Sequence, residues 1–307
     1  MWLDIQIFGF RALWSPIYFL FLLGLSLIYY LVTGPYRKKF GDNARPTGPQ
    51  QFYFYFSMLL LYIIKGSPID LMTHITLTAH MMQMAIYYLV FPILIIKGIP
   101  AWIWKKVVNI SGVKQVINVL TNPIIALLLF NGLFSLYHIP AIFDFSKSSQ
   151  LAHASIGLVI LVAAFVIWWP IMTPLEEYNT MRPILKIGYI FASIVLLSPA
   201  CALIIFADHP LFAAYSQDGA FIQALALCVP NDVLQGLESS LSGPEMFTSM
   251  TTMEDQQLGG IVMQSVQEIM YGIVLGKVFF KWFNKESLKV DPLPVNAGSE
   301  PSHSNQH

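Results

Sequence analysis

Apolar residues in this chain fall in long runs separated by short stretches of Pro, Gly and charge. A hydrocarbon core of about 30 Å needs about 20 apolar residues in helical form to cross it. With those breaks as punctuation, hydropathy predicts seven helices. They cover about Leu13–Val32 (stopped by Thr33-Gly34-Pro35), Gln51–Ile64 (short and aromatic), Leu71–Ile96, Val116–Tyr137 with a kink at Pro123, Leu151–Ile171, Ile184–Phe206 and Gln257–Phe280. The expected class is an all-α integral membrane protein. Residues 1–284 form its seven-helix membrane domain, and 285–307, with Pro292, Pro294 and Ala297-Gly298-Ser299, reads as a disordered tail.

Composition agrees with that pattern. Apolar and aromatic residues make up 56% of the chain and Asp, Glu, Lys and Arg only 11%, against about 25% in a typical soluble domain. That is too little charge to coat a water-exposed surface. The 17 Lys+Arg balance 17 Asp+Glu, so no nucleic-acid partner is expected. Cys201 and Cys228 make no C-x-x-C pattern and no disulfide framework. Met1–Phe10 lacks a basic region and no A-x-A site follows, so the first run is expected to stay as a membrane helix.

Charge position supplies the direction. With the N-terminus outside, 14 Lys and Arg fall in inner connections and at the inner end of the last helix, against Arg11, Lys65 and Lys147 outside. Because Lys and Arg resist translocation, this bias predicts N-out and C-in. Residues 208–255 then form an extracytoplasmic segment with seven acids and no Lys or Arg. No internal repeat is evident, which argues against an inverted-repeat transporter.

Polar groups are costly inside a membrane, so ionisable and soft-ligand side chains there are functional candidates. His74, His80, His138, His153 and His209 fall in the expected outer half. The densest patch is His74, His80, Met81, Met82, Gln83 and Met84. His80 and Met84 are i,i+4 and share a helix face with Gln83 beside them, whereas His74 lies about 120° from His80 around a helix. Imidazole with thioether suits copper, Cu(I) above all. The alternative is that the methionines fill the core and His80 bonds a neighbouring backbone or serine. His138 and His153 flank a short outer connection and could meet across antiparallel helices, or each could bond water at the interface. Met246, Met250 and Met253 lie in the acidic segment as copper collectors or as packing residues, followed by Asp255, Gln256 and Gln257. Gly259-Gly260 reads as close helix packing. Glu268, mid-span, must be protonated or bonded to Gln264, Tyr271 or another helix, with a proton relay as the functional alternative. Cys201 is a small hydrophobe or a further soft ligand. No mid-membrane lysine in the last helix, no H-E-x-x-H and no G-x-S-x-G is present, so catalysis is not expected.

The stretches Phe8-Gly9-Phe10-Arg11-Ala12-Leu13-Trp14-Ser15-Pro16, Lys65-Gly66-Ser67-Pro68, Ala79-His80-Met81-Met82-Gln83-Met84, Ser135-Leu136-Tyr137-His138-Ile139-Pro140 and Asp255-Gln256-Gln257-Leu258-Gly259-Gly260 are distinctive together. Over roughly Met1 to Phe283 the chain resembles the caa3-type cytochrome c oxidase assembly factor family, the CtaG-like proteins of Gram-positive bacteria. The resemblance implies a multi-pass plasma-membrane protein, not an enzyme, needed to form active oxidase, with a proposed role in copper supply. Oxidase subunits, other copper chaperones and membrane lipids are the implied partners. His80, Met81, Gln83, His138 and Asp255–Gly260 match the family pattern, while Met84 stands where broader members carry a second histidine in H-M-x-x-H. The expectation is therefore Cu(I) held by His80, Met84, Met81, His138 and His153. Met246, Met250, Met253 and His74 would capture the ion, and Gln83, Asp255, Gln256, Gln257, Gly259, Gly260 and Glu268 would give polar or packing support. A cofactor-free scaffold and a haem-handling protein, in which paired histidines hold haem axially, are the alternatives.

Overall fold

The computed structural model describes residues 4–41, 44–237 and 243–290, and no strand occurs among them. Among the described residues five helices are long and apolar enough to cross a membrane, or up to seven if each of two bent pairs counts as one span. The chain is a multi-pass membrane protein. For orientation, the end of the bundle carrying residues 208–255 is called the acidic end below, and the opposite one the basic end.

A short helical entry, Asp4–Phe8 and Gly9–Leu13, leads into α1 (Pro16–Thr33). Helix α2 (Gly48–Lys65) starts on a reciprocal capping box between Thr47 and Gln50, which satisfies two otherwise unpaired N–H groups. It runs to the acidic end and stops at Gly66. After a 46° bend, α3 (Pro68–Ile75) follows, with the Ser67 side chain accepting from the Ile69 N–H.

The helix expected over Leu71–Ile96 is not continuous. Thr76 is extended (φ −125°, ψ 139°) and its hydroxyl accepts from the Ala79 N–H, so a new helix, α4 (Leu77–Ala85), begins there. A wider turn over Ile86–Val90 joins α4 to α5 (Phe91–Gly98). Pro92 has no N–H to return to the preceding turn and its ring crowds that turn's carbonyl, which a single π-type turn accommodates.

At the basic end come α6 (Ala101–Val108) and α7 (Val113–Leu120). The expected kink at Pro123 is a helix start instead. Asn122 caps the Ile124 N–H, Pro123 occupies the first turn of α8 (Pro123–Tyr137), and α7 meets α8 at 82°. Proline is compatible with that first-turn position because no intrahelical bond is lost there. At the acidic end α9 (Pro140–Lys147) connects to α10 (Gln150–Met172), and α11 (Pro183–Ile205) returns. The acidic segment is not a loose loop. It holds α12 (Ala213–Ser216), α13 (Asp218–Leu225) and α14 (Asn231–Leu237). Phe221, Leu225 and Phe247 share a small core with Ile5, Phe8, Leu71 and Ile75. The last helix, α15 (Thr252–Val290), spans 39 residues, about 58 Å at 1.5 Å per residue. It overruns the expected Gln257–Phe280 at both ends and takes in the first six residues assigned to the tail; the rest of the tail lies outside the described residues. Its start is a second capping box, the Glu254 carboxylate accepting from the Thr251 N–H and the Thr251 hydroxyl from the Glu254 N–H.

Helix α15 packs along α11 and α4, α10 against α8 and α5, and α2 against α5. One continuous core runs through α4, α5, α8, α10, α11 and α15, with Met81, Phe130, Phe134, Trp168 and Tyr271 all at most 1% exposed. Phe54, Met58, Leu61 and Ile64 of α2 pack with Leu22, Tyr29, Phe91 and Ile95 in a separate cluster.

Candidate functional site

The site is built on the N-terminus of α4. Its first amides, Leu77 and Thr78, donate to the two Asp255 carboxylate oxygens at 2.6 and 3.1 Å, and the Thr78 hydroxyl donates to the Asp255 carbonyl. A carboxylate there pairs the free N–H groups and opposes the positive end of the helix dipole. Gln256 accepts from the Leu211 N–H and donates to the Ile204 and His209 carbonyls. Gly259 and Gly260 let the backbones close up. A Cβ on Gly259 would lie 3.2 Å from the Leu77 and Thr78 backbone, and one on Gly260 would lie 2.7 Å from Ile205. Asp255, Gln256, Gly259 and Gly260 thus clamp α15 to α4 and α11; Gln257 is part-buried beside them.

One turn below the clamp, His80 lines a cavity of about 450 Å³ together with Gln83, Met84, Lys65, Tyr137 and His153. Ala154 and Leu158 of α10 also line it and are themselves exposed, so its mouth faces sideways out of the bundle. The His80 Nε2 lies 3.3 Å from the Tyr137 hydroxyl, the Phe143 ring stands edge-on to the imidazole, and Nδ1 is buried without a partner. In either neutral tautomer one ring nitrogen is unpaired.

His74 reaches the neighbourhood from α3, its ring 5.7 Å from that of His153, whose Nδ1 is also buried and unpartnered. His74 Nδ1 lies 3.4 Å from the Lys147 Nζ. Lys147 is 2% exposed. Among the described residues no carboxylate forms an ion pair with it, and its ammonium lies 5.8 and 5.7 Å from the Phe143 and Tyr215 rings. Burial pushes its pKa down from 10.5 to about 7, with the Lys65 charge acting in the same direction. Lys65 itself is compensated: it donates to Gln83 Oε1 at 2.9 Å and to Asp70 Oδ1 at 3.4 Å. The Gln83 amide donates in turn to Asp70 at 2.8 Å and to the Ile64 carbonyl. Gln83 therefore pins the α2–α3 bend to α4.

Of the expected ligands, His80, Met84 and His153 share the cavity wall, and His74 adjoins His153. Met81 is wholly buried in the core and does not line the cavity. Nor does His138. It ends α8 with its Nδ1–H donating to the Phe134 carbonyl at 2.7 Å, its ring against Phe134 and its Nε2 buried without a partner. The capture methionines are spread over the acidic end. Met246 is exposed, Met250 lines a small crevice with Tyr215 and Asp255, and the Met253 sulfur lies 4.0 Å from the Gln256 amide. Cys201 is buried near Gln267. Glu268 is exposed and accepts from the Gln264 amide at 2.7 Å. Among the described residues no three His, Cys, Asp or Glu side chains form a metal-holding group.

Sequence reasoning passed over Lys65, Lys147, Asp70, Tyr137 and Tyr215. A signal was available for the lysines: with Arg11 they are the three Lys and Arg left outside, against 14 inside.

Fold and site together define a polytopic α-helical membrane protein with a laterally open, histidine- and lysine-lined pocket near its acidic end. The family model for the cytochrome c oxidase caa3 assembly factor, Caa3_CtaG, matches residues 27–285. The chain belongs to that family, and the match takes in every pocket residue named above. No curated protein and no solved structure matches it.

Proposed function

We propose that this protein serves caa3 oxidase assembly by holding Cu(I) as cargo in the lateral pocket and passing it to oxidase subunits. The observation that carries the reading is the shared wall of His80, Met84 and His153, with a buried, unpaired nitrogen on each imidazole. Imidazole and thioether are soft enough for Cu(I) and need lose no proton to bind it. The Lys and Arg bias supports placing the acidic end outside the membrane, and the likeness to the CtaG-like proteins of Gram-positive bacteria supports a plasma membrane of that kind. Copper would reach the pocket there, collected by Met246, Met250 and Met253, and leave by ligand exchange to an oxidase subunit or through another chaperone. The role is binding and transfer, with no catalysis.

A second reading, a cofactor-free scaffold for oxidase subunits, is favoured by Lys147, whose ammonium beside His74 opposes a bound cation. Anaerobic titration of the detergent-solubilised protein with Cu(I) against a competing chelator separates the two. Near-stoichiometric binding that weakens at least tenfold in His80→Ala supports cargo binding. No competition for Cu(I) transfers the argument to the scaffold, and a Soret band in the purified protein would replace both with haem handling.

A further inference from the structure

At the basic end a cavity of about 480 Å³ opens between α5, α10, α11 and α15. Four lysines line it: Lys97 in the last turn of α5, Lys186 in the first turn of α11, and Lys277 and Lys281 near the end of the apolar stretch Thr252–Asn284 of α15. Lys97 and Lys186 are half-buried and the other two exposed. Among the described residues no carboxylate lines the cavity or forms an ion pair with any of the four. Lys186 has a neutral partner instead, donating to Asn179 Oδ1. A bias of Lys and Arg toward one side of the membrane explains cations in connections, but not four of them gathered round one cavity.

Three of these placements are electrostatically unfavourable on their own. Lys277 and Lys281 are i,i+4 on one helix, where like charges repel. Lys186 stands at the positive end of the α11 dipole, where an acid is favoured, and that helix has neither an acidic residue in its first turn nor a side-chain cap. Across the cavity the charges act on one another in pairs, Lys97 with Lys277 and Lys186 with Lys281. An anion among them reverses all three, because it stands beside four cations and an uncapped helix start at once.

We propose that this cavity seats an anionic phospholipid, with the headgroup phosphate among the four lysines. Charge and depth set the occupant. Lysines near helix ends extend to the level of the lipid phosphates, and basic pockets between membrane helices suit acidic headgroups. The same wall carries Ile171, Met172 and Val278, which suit acyl chains and offer nothing to a free phosphate. Trp282 also lines it, an aromatic residue of the kind that favours the headgroup level. The cavity lies at the opposite end of the bundle from the histidine pocket, so its occupancy does not depend on copper binding there.

The test uses full-length protein purified in neutral detergent and stripped of lipid, with bound lipid counted by native mass spectrometry. Phosphatidylglycerol is titrated against phosphatidylcholine, whose phosphate is neutralised by its own cation, and against inorganic phosphate, which lacks chains. The first phosphatidylglycerol is expected to bind at least tenfold tighter than phosphatidylcholine and to resist displacement by phosphate. Lys186→Gln with Lys281→Gln should weaken that first site at least tenfold. Lys105→Gln with Lys114→Gln removes the same charge from exposed positions outside the cavity and should change it less than twofold. The cavity pair relieves repulsion, so its thermal midpoint without lipid should match or exceed the parent's, and lost binding will not be misfolding. Equal affinity for phosphatidylcholine, displacement by inorganic phosphate, or equal weakening by both pairs of substitutions would each overturn the proposal. So would a first site that appears only after removal of residues 291–307, which would give the cavity to the chain's own tail.

Discussion

Lys147 is buried with no counter-ion among the described residues, and the cost of its charge can be measured. Its folded pKa is about 7 against an ordinary 10.5. Between those values the unfolded chain holds more protons than the folded one, so stability rises with pH across that window and reaches its full value only above 10.5. At 1.36 kcal/mol per unit, the folded state bears a penalty of about 4 kcal/mol at pH 7 that falls to about 2 kcal/mol at pH 9. Lys147→Met keeps the stem that packs on Phe143 and Tyr215 and removes the charge. It also leaves His74 Nδ1 without its 3.4 Å partner, a loss of about 1 kcal/mol. The variant should therefore be more stable at pH 7 by about 2–3 kcal/mol, with most of that margin gone by pH 9. The assay is thermal unfolding in detergent followed by the fluorescence of buried tryptophans such as Trp168, at 1% exposure. At roughly 2 °C per kcal/mol for a chain of this size, the gap between variant and parent midpoints should narrow by roughly 4 °C from pH 7 to pH 9. Midpoints that stay parallel across that range, or a variant less stable at pH 7, would refute the argument that Lys147 is buried without compensation.

Three further outcomes follow from the clamp and the pocket. Asp255→Ala removes the acceptor for two amides at the start of α4 and should cost about 1–2 kcal/mol, seen as a lower midpoint, while Asp255→Asn should recover part of it. Gly260→Leu forces a side chain onto Ile205 and the Cys201 carbonyl, already within 2.7 and 3.4 Å of a bare Cβ; it should abolish the monodisperse peak in size-exclusion chromatography. Tyr137→Phe removes the hydroxyl beside His80 Nε2 and should leave the thermal midpoint within about 1 kcal/mol of the parent. In a Cu(I) competition titration it should shift affinity less than His80→Ala does.

Much of the architecture was legible before any coordinates. The breaks at Gly34 and near Pro100 were readable because proline and glycine act on the residues beside them. The start of α15 was expected at Gln257, five residues late, although Thr251 and Glu254 form a capping box there. Thr76 is different. It interrupts a run of helix formers because Asp255, 178 residues away, satisfies the Leu77 amide, and no local pattern announces that partner. Pro123 was visible, but whether it kinks a helix or starts one depended on the 82° turn that its neighbours permit.

The pocket shows the same division. His80 and Met84 were found from their i,i+4 spacing, a property of one helix. His153 joins them only because α10 packs beside α4, and His138, which looked equivalent in the sequence, turns its Nδ1 back to its own helix at Phe134. Lys147 reads as an exposed charge in a short connection, yet α9, α12 and α13 fold over it and leave 2% exposed. The sequence by itself determined what the solvent and the backbone demand: membrane-length apolar helices, several of their breaks, and which connections carry the positive charge. Those terms act within a few residues or over the whole bilayer. Which polar groups meet, and which are buried without a partner, was decided only by tertiary packing, because contacts across 60 to 180 residues depend on how whole helices dock.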